Sequence, residues 1–222
     1  MLLRSNALSP VRASRKGEGS SARPWRGTRL LQLYAVTSCL ILVDNSNVFI
    51  EGQKASARQK GIKAEPGERD PADPSWRINF AGLLTALAEG RSIYAAVLVG
   101  SRPPKNDGVW DAAERQGFRV TVHDRSSSNK EKAVDTELVA QGTELICDAA
   151  EPMALVIASG DRDFIPIVAV AHRRKWEVEM AAFSYAFNPT GELATSVDRV
   201  RPLDSFLHKI GRNEFEWPLP LI

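Results

Sequence analysis

Four aspartates, Asp44, Asp135, Asp161 and Asp163, occupy positions from which a folded chain could do chemistry. Asp44 closes the apolar run Cys39-Leu40-Ile41-Leu42-Val43, and Asn45-Ser46-Asn47 follows at once. Asp161 and Asp163 come just after a second run, Ala154-Leu155-Val156-Ile157-Ala158, through Ser159-Gly160. Asp135 lies in Lys132-Ala133-Val134-Asp135-Thr136-Glu137. An acid at the end of a buried strand is costly unless a cation or a hydrogen-bond donor answers it. Carboxylates gathered in one place cannot all stay ionised without a cation. Donors that are all oxygen select Mg²⁺ or Mn²⁺ over zinc, and the three histidines (His123, His172, His208) show no ligand spacing. A divalent ion held in this way can activate a bound water and stabilise a phosphorane-like transition state.

Each residue also has a plainer use. One of Asp161 and Asp163 can be a helix N-cap, and Asp135 can serve its helix dipole. Asn47 is a cap or a ligand in the metal shell. Lys132 is a solvated lysine or a phosphate contact, and Arg77 is surface or a second phosphate contact. Asp44 is the hardest to explain away, because capping alone does not require so apolar a strand to end in an acid.

The elements that must carry these residues alternate. Short apolar runs bounded by turn signals predict strands over 39–43, 93–99, 118–122, 154–158, 177–183 and 199–203. Helices are predicted over 48–59 (capped by Ser46 or Asn47), 76–89, 109–116, 132–150 and 164–174, with another within 188–197. A last helix runs to 210, capped by Asp204. Residues 61–75 hold three prolines and two glycines and predict a long exposed loop. Continuous apolar strands between helices give an α/β fold: a three-layer α/β/α sandwich with a mostly parallel central sheet. Asp44 then falls at the carboxyl end of a central strand, where open α/β sheets bind ligands.

With 222 residues, 43% of them hydrophobic, the chain is long and apolar enough for one domain. The expected organisation is a disordered basic tail over 1–37, a domain over 38–210 and a tail over 211–222. Residues 1–38 hold seven basic residues and one acid, +6, so the rest carries 2 − 6 = −4. A slightly acidic domain acting on nucleic acid needs cations or a local basic rim. Arg102, Lys105, Arg125, Lys130, Lys132 and Arg162 are the candidates for that rim, and Trp76 and Trp110 for base stacking. Cys39 and Cys147 read as core residues in a reducing compartment, which suggests a cytoplasmic location. No apolar run approaches the ~20 residues of a membrane span. No Gly-x-Gly-x-x-Gly follows a strand, so no nucleotide cofactor is expected. Val48 stands where an Asp-x-Ser-x-Ser adhesion motif needs serine, and Ser46 where an aspartyl-phosphate enzyme needs a second aspartate.

Asp44-Asn45-Ser46-Asn47, Lys132-Ala133-Val134-Asp135 and Ser159-Gly160-Asp161-Arg162-Asp163-Phe164 occur in order and in matching strand or helix contexts. Together they resemble the NYN domain family of the PIN-like nucleases, over roughly residues 38–200. The resemblance implies a PIN-like sheet and a metal-dependent endoribonuclease using Mg²⁺ or Mn²⁺ on RNA. Asp44, Asp135 and Asp161 would hold metal, and Asp163 would bind metal or orient water. Asn47, Lys132, Ser159 and Arg162 would face substrate. The alternative is a non-catalytic RNA- or protein-binding module on the same fold; a homo-oligomer is left open. Two features lie outside the family pattern: the Arg-rich arm, and the 61–75 insertion, a candidate substrate-facing lid.

Overall fold

The apolar run before Asp44 forms β1 (Ser38–Asp44), and Cys39 through Val43 have no solvent exposure. The computed structural model describes residues 37–64, 67, 69–101, 108–123 and 130–216, without the side chains of 130–132. After β1 come α1 (Asn45–Lys60), β2 (Trp76–Ile78), α2 (Phe80–Ala88), β3 (Ser92–Ser101), α3 (Gly108–Glu114) and β4 (Arg119–His123). Then α4 (Lys130–Asp148) leads to β5 (Ala154–Ala158), a 3-10 turn (Arg162–Phe164), α5 (Ile165–Arg173), β6 (Glu177–Ala182), α6 (Glu192–Ser196) and β7 (Arg199–Pro202). A second 3-10 turn (Asp204–Phe206), α7 (Leu207–Ile210) and β8 (Gly211–Asn213) complete the described chain.

Six strands form one parallel sheet in the order β4-β3-β1-β5-β6-β7. The chain first winds outward from β1 through β3 to β4, then returns to the other side of β1 for β5, β6 and β7. Right-handed crossovers put the helices of the two excursions on opposite faces. Cys39, Ile41 and Val43 accordingly pack on one face with residues of α1, α2, α3 and α7, and Leu40 and Leu42 on the other with residues of α4, α5 and α6. The reversal makes β1/β5 the switch point of the sheet, and its carboxyl end is the expected ligand position.

Helix α4 lies close to the sheet because Gly142 faces it. A Cβ there would stand 2.5 Å from Ile167 Cδ1 and 2.6 Å from Leu42 Cδ1. Gln141 Nε2 also donates to Thr121 Oγ1 at 3.0 Å, tying α4 to β4. The buried face of α4 is Val134, Leu138 and Ile146.

The α/β sandwich is as expected, and several local readings are corrected. Residues 76–78 are strand, not helix: β2 pairs antiparallel with β8 through Trp76↔Asn213, and α2 begins after its cap, Asn79. Arg77 therefore lies on a strand, paired with Glu214 at 2.8 Å. Gly211, read as the start of a loose tail, opens β8. Asp204 caps no helix; its Oδ2 accepts from Ser184 N and Oγ at 2.9 and 2.7 Å. Cys147 is exposed, on the outward side of α4. Trp76 and Trp110, the candidate stacking residues, are 2% and 4% exposed and belong to the core. Residues 69–75 are fastened to α1. Asp73, fully buried, accepts from Ser56 and Ser75 and pairs with Lys60 at 2.7 Å, while Asp70 meets Lys54 and Arg58.

Residues 1–36, which include nearly all of the basic tail, fall outside the described residues, as do Arg102, Lys105 and Arg125 of the supposed rim. No described helix is long and apolar enough to cross a membrane.

Candidate functional site

Asp44 ends the central strand and is also the N-cap of α1: its Oδ1 accepts from the Asn47 backbone N–H at 3.0 Å. Neither Ser46 nor Asn47 is the cap, because the strand runs into the helix without a connecting loop. The sixteen-residue helix thus points the positive end of its dipole at the carboxylate. Ser159, 1% exposed at the end of the neighbouring β5, donates its hydroxyl to Asp44 Oδ2 at 3.4 Å. Ser159 is thus buried against Asp44, with its hydroxyl directed at that carboxyl. Burial pushes the Asp44 carboxyl from 3.8 up to about 6; bonds from Asn47, Ser159 and Ser46 oppose this, and the charge of Asp161 adds to it.

Asp161 follows in the same loop, exposed, with its N–H bonded to Ser159 Oγ at 3.2 Å. It caps the 3-10 turn by accepting from Asp163 N at 3.0 Å. The N-cap reading thus holds for Asp161 and leaves Asp163 on the turn itself. Asp135 lies in the second turn of α4, which starts at Lys130, too far in to be explained by the helix dipole; it is 8% exposed. The side chain of Lys132 lies outside the described residues.

Two hollows share this edge of the sheet. The first, about 510 Å³, is lined by Asp135, Thr136, Arg162, Asp163 and Glu192 among others. The second, about 470 Å³, is lined by Asn47, Gly160, Asp161, Arg162, Phe187 and Glu192 among others. Exposed Arg162 borders both and so links the acids of α4 to those after β5. Five of the eight expected residues, Asp135, Asp161, Asp163, Asn47 and Arg162, thus line these hollows, while Asp44 and Ser159 are buried at the adjoining strand ends. Among the described residues no three side chains of His, Cys, Asp or Glu stand close enough to surround one ion.

Glu192 was not anticipated. It is the first residue of the five-residue α6 and borders both hollows. Its only sequence signal is an acid after Asn188-Pro189-Thr190-Gly191, which reads as an ordinary helix start. Gly160 is equally specific: a Cβ there would lie 2.7 Å from Ala186 O, so the loop after β6 packs directly on it.

A parallel sheet of this order, with an acid ending its central strand at the switch point, defines a PIN-like α/β protein. The NYN domain family model matches residues 41–204, and the chain belongs to that family, a PIN-like nuclease family. A crystal structure of a protein of unknown function, VPA0982 from Vibrio parahaemolyticus RIMD 2210633, is similar in fold. It shares 18% identity at a TM-score of 0.55, over 79% of this chain and 98% of that one. None of the curated proteins compared with the chain matches it.

Proposed function

We propose that the chain is a metal-dependent endoribonuclease that uses Mg²⁺ or Mn²⁺ to hydrolyse RNA phosphodiester bonds. The observation that carries this reading is Asp44: a carboxyl buried between two strand ends, with Asp161 close enough to push its pKa further up. A nearby divalent cation would reverse that penalty. The donors fit such an ion by type, since Asp44, Asp161, Asp135 and Asn47 offer oxygen only. Mg²⁺ commonly takes one or two carboxylates and completes its shell with water and substrate phosphate. Asp44 with Asp161 meets that requirement without three converging acids. When bound, the ion supplies Lewis acidity and a water of lowered pKa.

The chain's own groups have separable tasks. Ser159 and the amide of Asn47 fix the orientation of Asp44. Arg162, exposed between the hollows, offers a planar fork for phosphate oxygens. Asp163 and Glu192 stand at the hollow edges, where a carboxylate can orient a water or accept its proton. The test is cleavage of a pool of RNAs by purified protein with added Mg²⁺ or Mn²⁺. The reading requires that EDTA stop cleavage and that Asp44→Asn abolish it while leaving the fold intact.

A second reading, a non-catalytic RNA- or protein-binding module, rests on Asp44 and Asp161 both serving as caps. RNA binding with no cleavage under any divalent ion would favour it.

A further inference from the structure

We infer that Tyr185 is a stacking platform for a base of single-stranded RNA, next in the chain to Ala186 and Phe187, which line the hollow that holds Asn47, Asp161 and Arg162. The inference rests on the RNA reading above and adds a binding subsite to it.

Tyr185 is 71% exposed, well beyond any other large hydrophobic side chain among the described residues. It contributes nothing to either core cluster. Yet the turn that carries it is firmly held. Ala186 N donates to Phe183 O at 2.8 Å, closing the turn. Ser184 donates from both N and Oγ to Asp204. Ala186 O packs against Gly160, and Phe183 is buried at 2% exposure. An aromatic ring presented to water on a fixed turn has its orientation set in advance, which lowers the entropic cost of binding a flat partner.

Its surroundings indicate the chemistry of that partner. The Arg58 guanidinium carbon lies over the Tyr185 ring, 4.0 Å from its centroid, a cation–π contact. Asp70 steadies the same guanidinium at 2.9 Å. Ala186 and Phe187, the next residues along, line the hollow containing Asp161 and Arg162. A π face beside one guanidinium, next to a hollow bordered by a second, matches a base attached to a phosphate chain. Every base offers a π face, so the contact is tolerant of sequence. Bases in a duplex are already stacked and paired, so the platform selects single strands. The buried Trp76 and Trp110 cannot supply this contact.

The test is fluorescence anisotropy of labelled oligoadenylate and of a blunt RNA duplex. It is run in EDTA, so that cleavage plays no part, with the full-length protein and its Tyr185→Ala, Tyr185→Phe and Tyr185→Trp variants. The expected result is a loss of single-strand affinity of about five- to a hundredfold in Tyr185→Ala, with Phe and Trp near wild type and duplex binding unchanged. Wild-type melting behaviour in all variants would show that the fold is intact, as the exposure of the ring leads one to expect. If wild type binds the oligonucleotide and Tyr185→Ala binds it equally well, the platform is refuted and the RNA reading stands. If Phe and Trp fail to restore binding, or duplex affinity falls in parallel, the ring is not stacking and the inference is again refuted. If wild type binds no single strand with or without Mg²⁺, the RNA reading and the platform fall together.

Discussion

Ser159 Oγ donates to Asp44 Oδ2 across 115 residues of sequence, joining the carboxyl ends of two neighbouring parallel strands. The register Val43↔Ala158 fixes that meeting, because the residues just after the pair emerge side by side at the sheet edge. Asp44 is thereby held in a buried position that favours its protonated form.

The first prediction concerns pH. In the unfolded chain Asp44 titrates near 3.8, and in the folded protein near 6. Between these values the folded state binds the extra proton, so Asp44's contribution to stability falls as pH rises through that window. The full penalty at neutral pH is about 3 kcal/mol without a divalent ion. Asp73, Glu179 and Asp198 are shifted the other way, so their stabilisation is lost as pH falls. Urea unfolding in EDTA should therefore be read as wild type minus Asp44→Asn. Asparagine keeps the cap and loses the charge, so the variant should become relatively more stable as pH rises from 4 to 7. A flat difference would remove the buried-charge account.

The second concerns metal. If Asp44 is an ion ligand, Mg²⁺ at about a hundredfold over its dissociation constant should stabilise wild type by about 2.7 kcal/mol at neutral pH. Asp44→Asn should show little of that gain. On RNA the same variant should lose activity by on the order of a thousandfold, the scale of several kcal/mol of lost charge stabilisation. Melting curves with and without Mg²⁺, beside a cleavage assay, check both.

A third separates helix placement from the acids themselves. Gly142→Val would push branched carbons into Leu42 and Ile167 and lift α4 from β1. Overpacking of this kind costs roughly 1–3 kcal/mol. Because Asp135 rides on α4, kcat should fall in the molecules that remain folded, with KM less affected. Unchanged kcat in folded protein would mean that the position of Asp135 is unimportant.

The fourth is purely structural. Asp73→Ala leaves Lys60, Ser56 and Ser75 without their shared buried acceptor. Burial alone would raise the Asp73 carboxyl, but bonds from Lys60, Ser56 and Ser75 outweigh it and hold it below the usual range. The loss should be about 3 kcal/mol at neutral pH, read from the urea midpoint. The wild-type advantage should shrink as pH falls through that lowered pKa. RNA cleavage per folded molecule at saturating RNA should be unchanged, since residues 69–75 border neither hollow; any effect passed through Asp70 to Arg58 should appear in KM alone.

By itself the sequence determined the central strand, the succession along the chain of the six strands of the main sheet, and the acids at the strand ends. Five consecutive apolar residues before Asp44 can be satisfied only between two covered faces, and that demand is local and readable. The pairing of residues 76–78 with 211–213 is not local: three residues carry too little period to reveal a strand, and the partner lies at the far end of the described chain. Whether Trp110 faced a base or the core depended on Gly100, where a Cβ would lie 2.5 Å from the Trp110 ring; only strand register brings the two together. The same holds for Glu192 and Tyr185. Each looks like ordinary surface along the chain; Glu192 borders both hollows, and Ala186, next to Tyr185, lines one of them, because the loop after β6 packs on Gly160, a contact between distant segments that no local pattern encodes.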